Sequence, residues 1–406
     1  MLSKRVGDAI VIPGLASAHS HAFQRAMRGH CQRQQAELGS FWSWRGRMYE
    51  IASKLNPDSM YKIAKFAYAE LAMSGVCAVG EFHYVHHQAS GQAYDKRTEL
   101  ADAVIAAARD VGIRITLLRV VYERGGYAKD LSPGQERFCD STLADAMLDI
   151  DTLRTNYADT KGVTIGLAVH SMRAVTRSSI SELSSYAKKY SLPMHMHLSE
   201  QRRELEECLA EHGTTPVALM HQDGVLDKNF IAVHATHLAE GEIEMLGNSG
   251  AGVCICRSTE RDLGDGHCEA DKLVAAGVPL STGVDSYAAS DPFDEARAIE
   301  LDQRSCREAR TVVADATQLL RVASENGYAA IGMHGLSLED HVTLDAQDPS
   351  LVGLANDRLD DAVVFCASSR AVREVDVAGT RIVNSGVHRE YSTIRQEFET
   401  TLATMA

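Results

Sequence analysis

PGLASAHSH, residues 13–21, is a short apolar run closed by two histidines one residue apart. On a strand, residues i and i+2 point the same way, so His19 and His21 share a face. The same texture recurs along the chain. Apolar, β-branched runs lie at about residues 10–18, 76–83, 114–122, 163–170, 193–197, 230–234, 251–256 and 278–284, and most end in an ionisable residue. His83 ends the second run, His170 the fourth, His195 and His197 the fifth, His234 the sixth and Asp285 the eighth. Helical patterns fill the gaps, among them Pro57–Met73, Lys96–Val111, Ser178–Tyr190, Glu200–Glu211 and Pro292–Glu308. Eight strands alternating with helices is the pattern of a (β/α)₈ TIM barrel, although a doubly wound sheet alternates in the same way. The ionisable ends favour the barrel. There, all strand C-termini open at one mouth, and residues far apart in sequence converge on one small volume.

The chain has 406 residues, 45% hydrophobic and 24% charged, an ordinary globular balance that excludes disorder and fibrous repeats. Lys+Arg 41 against Asp+Glu 55 leaves a formal charge of −14, a poor match for nucleic acid or an anionic membrane. The apolar runs are too short to span a bilayer, and the N-terminal residues do not read as a signal peptide. Nine scattered cysteines in no zinc-ribbon spacing suit reduced thiols and a cytoplasmic location. Cys254 and Cys256 fall on one face of a strand and read as core packing. Asn56 before Pro57, Ser199 before Glu200 and Asp291 before Pro292 are expected helix caps. We expect three parts: a remnant of a small β domain over 1–12, the barrel over 13–335, and small-domain strands with a helical tail over 336–406. In the last part Asp361–Phe365, Val372–Val377 and Thr380–Val383 read as strands, with a hairpin turn at Asn384-Ser385-Gly386.

His19 and His21, with His197 and Asp285 at other strand ends, make an N₃O donor set. Three imidazoles and a carboxylate suit one divalent metal ion, Zn²⁺ first, with a position left for water; Fe²⁺ or Mn²⁺ also fit. The fourth strand end carries no lysine, so a carboxylated lysine bridging two metals is not indicated.

Together these motifs resemble the amidohydrolase superfamily in its mononuclear deaminase branch. PGLASAHSHAFQRAMRG, FWSWRGRMYE, EFHYVHH, VHSMRAVT, MHMHLSEQRRELEEC, VHATHL, STERDLGDG and DPFDEARAIELDQR are similar to the formimidoylglutamate deiminases of bacterial histidine degradation. The resemblance covers roughly residues 10–390. It implies hydrolysis of N-formimidoyl-L-glutamate to N-formyl-L-glutamate and ammonia, a C–N bond of a linear amidine being cut. A metal lowers the pKa of water toward about 7, which supplies hydroxide near neutrality. Asp285 is then expected to take the proton, His234 to orient the hydroxide and stabilise the tetrahedral intermediate, and Glu200 to protonate the substrate nitrogen. Gln24, Arg45, Tyr84, His170 and Arg173 match positions that bind substrate in the family. An arginine fork suits the two carboxylates of such a small molecule. Trp42 and Trp44 are expected to wall the pocket or pack its loop. Relatives of this type are often homodimers.

Three departures from the family pattern stand out. The chain starts almost directly at the first barrel strand, so the small β-sandwich is expected to be incomplete. Arg257 replaces an expected proline, and Tyr287 stands where a histidine is common. The last two leave the donor set intact but bear on substrate choice. A related deaminase acting on a nucleobase or a triazine is the competing expectation. It would need stacking groups and fewer arginines. A non-catalytic descendant would be expected to have lost one of His19, His21, His197, Glu200, His234 or Asp285, and all are present.

Overall fold

The computed structural model describes residues 1–32 and 41–405, apart from the side chains of Phe41, Trp42 and Ser43. Fourteen strands lie among them: β1 Lys4–Val6, β2 Ala9–Pro13, β3 Leu15–Ser20, β4 Val76–His83, β5 Arg114–Val121, β6 Val163–Ser171, β7 Met194–Leu198, β8 Phe230–His234, β9 Gly252–Ile255, β10 Leu280–Thr282, β11 His341–Asp345, β12 Val372–Val377, β13 Thr380–Asn384 and β14 Val387–His388. Strands β3 to β10 form one parallel sheet in sequence order. The ends of that sheet meet. Asp285 N–H donates to the His19 carbonyl at 3.1 Å, and His21 N–H donates to the Asp285 carbonyl at 3.0 Å. The sheet is thus a TIM barrel, closed where the segment of His19 and His21 meets that of Asp285, three of the four expected metal donors.

The run at 10–18 is two strands in two sheets. Strand β2 pairs with β1 and β11 in a six-stranded antiparallel sheet, ordered β1-β2-β11-β12-β13-β14, whereas β3 opens the barrel. The chain crosses between them at Gly14. A Cβ there would lie 2.7 Å from the Asp340 Cβ and 2.8 Å from the Tyr328 hydroxyl, so only glycine passes. The hairpin turn falls at Ser385 and Gly386, both with positive φ, as a two-residue turn between β13 and β14 requires. Residues Tyr391–Met405 are helical.

Two local expectations fail. Asp361–Phe365 is part of a helix, Leu359–Phe365, that buries Leu359, Ala362 and Val363 at i, i+3 and i+4. Four apolar residues in a row have no periodicity that separates strand from buried helix. Ser199 caps nothing: the helix after β7 starts later, at Arg202–His212, and the Ser199 hydroxyl is buried without a partner. The other two caps form. The Asn56 side chain accepts from Ser59 N–H in a capping box, and Asp291 accepts from the N–H groups of Phe293 and Asp294.

Candidate metal centre and cleft

Strand register brings the donors together. Ser20, between the two histidines, is the partner of Glu81 on β4 and of Asp285 across the closure; Ser171 pairs with His197, and Leu198 pairs with His234. His19 Nε2 lies 3.2 Å from His21 Nε2 and 3.1 Å from His197 Nε2. Asp285 Oδ1 lies 3.4 Å from His19 Nε2 and 3.2 Å from His21 Nε2. All four residues are buried. Tetrahedral donors placed 2.0–2.1 Å from a zinc ion are about 3.3 Å apart, so the spacing fits a divalent ion at their centre.

The protonation pattern fits as well. Burial pushes His19 down to about 3 and His197 well below its usual range. Burial pushes Asp285 upward, but the His19 and His21 imidazoles beside it outweigh that and hold the carboxyl well below the usual range. Neutral imidazoles and an ionised carboxylate are what a metal needs. His21 Nδ1 lies 2.9 Å from the Phe82 carbonyl, which only accepts, so Nδ1 carries the hydrogen and the Nε2 lone pair faces inward.

His234 sits against this set. Its Nε2 is 3.7 Å from Asp285 Oδ2, and its Nδ1 is 3.2 Å from Glu260 Oε1. Burial alone would lower its pKa, but the carboxylates of Glu200, Glu260 and Asp285 together raise it well above the usual range. Ser199, His234, Ala235, Asp285 and Tyr287 all have φ between 48° and 73°. Such backbone is unfavourable for non-glycine residues and recurs at functional sites. Gly283 makes the closure possible: a Cβ there would lie 2.7 Å from the His19 Cβ.

Above the donors lies a cleft lined by His21, Gln24, Arg45, Tyr84, His170, Arg173, His197, Glu200, His234 and Asp285. Every expected substrate-binding and proton-transfer residue therefore borders one space, with His19 buried beneath it. Gln24 Nε2 donates to the Tyr84 hydroxyl at 2.8 Å. Arg173 Nη2 lies 3.9 Å from Glu200 Oε2. Burial keeps His170 neutral. Trp44 lines the cleft, whereas the Trp42 side chain falls outside the described residues.

Four residues singled out in the sequence lie elsewhere. His195 is buried one layer below the mouth, its Nε2 at 2.8 Å from the Ala330 carbonyl. His83 is buried beside His86. Tyr287 points beneath the site, where its hydroxyl is 2.8 Å from Ser20 Oγ. Arg257 turns away from the cleft. Its guanidinium donates to Glu260 Oε2 at 2.7 Å and to the Gly266 carbonyl at 2.9 Å, and pairs with Asp302 at 2.7 Å.

Sequence reasoning missed Glu260. Its carboxylate is fully buried and links His234 to Arg257 and to the Cys256 N–H at 2.9 Å. It lies in the helix Arg257–Leu263, where an acid in the first turn reads as an ordinary dipole partner. Glu81 was also missed. It accepts from Ser20 Oγ and from Ala22 N–H, each at 2.7 Å, and so clamps the loop that carries His21; burial pushes it up to about 7. Cys256, expected in the core, is buried with its sulfur near His234 and Asp285.

Residues 10–338 match the family model described as the amidohydrolase family. The chain belongs to the amidohydrolase family. A formimidoylglutamate deiminase of Pseudomonas aeruginosa is 35% identical, the match covering 95% of this chain and 87% of that one. An 8-oxoguanine deaminase of the same organism is 29% identical over 70% of this chain and 61% of its own length. A crystal structure of an amidohydrolase from Brucella melitensis superposes with a TM-score of 0.91 at 31% identity, covering 99% of this chain and 95% of that one. This family member is thus a hydrolase of C–N bonds with a candidate divalent-metal site at its barrel mouth. No helix among the described residues is long and apolar enough to cross a membrane.

Proposed function

We propose that this chain hydrolyses N-formimidoyl-L-glutamate to N-formyl-L-glutamate and ammonia, with His19, His21, His197 and Asp285 holding one Zn²⁺. The observation that carries this reading is the pair Arg45 and Arg173 on the same cleft as the metal donors. A substrate with two carboxylates needs such cations, and a neutral nucleobase does not. The 35% identical deiminase supports the same substrate.

When bound, the ion makes water acidic enough to attack near neutral pH. The chain's residues do the rest. Asp285 accepts the proton of the attacking water. His234, oriented by Glu260, fixes that water against the amidine carbon and offsets the charge that grows as the carbon becomes tetrahedral. Glu200 delivers one proton to the terminal nitrogen, Asp285 passes on the proton taken from water so that the nitrogen leaves as ammonia, and the hydroxyl proton of the tetrahedral carbon returns to Glu200 as the formyl carbonyl forms. Arg45, Arg173, Gln24, Tyr84 and His170 bind the glutamate portion and hold the amidine within reach. The buried cleft limits competing water. The reaction is that of cytoplasmic histidine degradation.

A deaminase of nucleobases is the second reading, favoured by the aromatic side chains of Trp44, Tyr49, Tyr84, Tyr122 and Phe138 around the cleft. Ammonia release from N-formimidoyl-L-glutamate, 8-oxoguanine, guanine and adenosine, measured in parallel on zinc-loaded protein, separates the two. Turnover confined to formimidoylglutamate is expected. A preference for any of the bases would replace the proposal with the second reading.

A further inference from the structure

The cleft contains a phenol without a task in the chemistry above. Tyr122 follows β5, lines the cleft with Arg45, Arg173 and His170, and packs edge-on against the His170 ring with centroids 4.7 Å apart. Its hydroxyl is held from behind by Gln135, a wholly buried side chain in the loop after β5.

The hydrogen-bond directions there are fixed by elimination. Ser132 N–H donates to Gln135 Oε1 at 2.6 Å. A backbone N–H only donates, so that atom is the amide oxygen. The NH₂ group therefore faces the Tyr122 hydroxyl at 2.5 Å and the Gly125 carbonyl at 3.4 Å. An NH₂ group also only donates, so the phenol oxygen accepts and its own hydrogen is left for the cleft side. Burial raises the Tyr122 pKa above its usual range, and Arg173 and Arg45 pull it down without cancelling that effect. The phenol stays protonated, and both guanidinium groups line the same cleft. A hydroxyl hydrogen beside two cations suits a ligand group that accepts hydrogen bonds and carries negative charge.

We infer that Tyr122, oriented by Gln135, is a specificity residue that donates a hydrogen bond to a carboxylate of the substrate; this rests on the formimidoylglutamate reading. The bland alternative is a buried tyrosine that only ties down the loop through Gln135.

Steady-state kinetics of the zinc-loaded protein separate the two. Y122F keeps the ring and removes only the hydroxyl. KM for N-formimidoyl-L-glutamate should rise about tenfold or more, the loss expected for a hydrogen bond to a charged group, with most of the effect on KM rather than kcat. Inhibition by N-formyl-L-glutamate should weaken in step, whereas inhibition by formamidine, which has no carboxylate, should not. Q135E keeps the acceptor for Ser132 but turns the second atom into an acceptor, so the Tyr122 hydrogen is drawn away from the cleft. It should raise KM as Y122F does, and the double variant should be no worse than Y122F alone. An unchanged KM in Y122F, equal weakening of formamidine, or additive losses in the double variant would each overturn the inference while leaving the proposed reaction standing. A wild-type protein silent on formimidoylglutamate would remove both.

Discussion

At the barrel mouth, neighbouring side chains set the protonation of Asp285 and His234 against the effect of burial. Asp285 stays ionised because the His19 and His21 imidazoles beside it outweigh the pull of burial, and its other oxygen lies 3.7 Å from His234 Nε2. Asp285→Ala should therefore lower kcat by roughly a thousandfold or more, since it removes both a proposed metal donor and the proposed proton acceptor. Arg173→Ala should instead act mainly on KM, by roughly a hundredfold, because Arg173 is proposed to bind the part of the substrate that does not react. Similar kcat losses in both variants would contradict this division. Glu260 acts one step removed, through His234 Nδ1. Glu260→Gln should cost about ten- to a hundredfold in kcat with little change in KM, the range typical of groups that orient a catalytic side chain. An unaltered kcat would release Glu260 from that role. The proposed metal-donor and proton-transfer residues were legible as candidates in the sequence because HxH and the other strand-end positions mark them, and the structure brings them to one cleft. Glu260, Glu81 and Tyr122 were not legible, because each acts through a partner at least 13 residues away in sequence, and no local pattern marks such a bond. Arg257 was legible as unusual, but its direction was not. Only the structure shows it turned toward Glu260 and Asp302.

Elements place these residues through register. The barrel closes where Gly283 lets the end of β10 approach β3, with no room for a side chain between them. Gly283→Ala should push the Asp285 segment away from His19 and His21. The expected result is a folded protein with weakened zinc affinity, measured as zinc content after dialysis and as circular dichroism. Full zinc occupancy in that variant would show that the closure tolerates a Cβ. Periodicity located the barrel strands to within a few residues, because buried parallel strands are continuous apolar runs. It failed where that signal is absent. The 10–18 run hides a change of sheet at Gly14, and residues 361–365 are too few to distinguish helix from strand.

At the scale of the whole molecule, burial of titratable groups ties stability to pH. Burial pushes Glu295, buried and facing the Ser258 N–H, up to about 8. Its folded pKa is raised, so the stability it contributes is complete below about 4.5 and is lost as pH rises through about 8. His83 and His195 run the other way: burial lowers them to about 3 and about 4, so their contribution is present above about 6.5 and is lost as the medium becomes acid. Urea unfolding of Glu295→Gln should show a smaller loss of stability between pH 5 and pH 8 than the unsubstituted chain. Identical slopes would mean that Glu295 is ionised in the folded state at neutral pH. In the proposed reaction, four donors from three distant segments hold a single ion that the deimination requires. The direct measurement is to strip the protein of metal, add zinc back stepwise, and follow N-formyl-L-glutamate and ammonia together. Both products should appear in equal amounts, and the rate should saturate at one zinc per chain. Deimination at full rate in the stripped protein, or a rate that ignores added zinc, would contradict it.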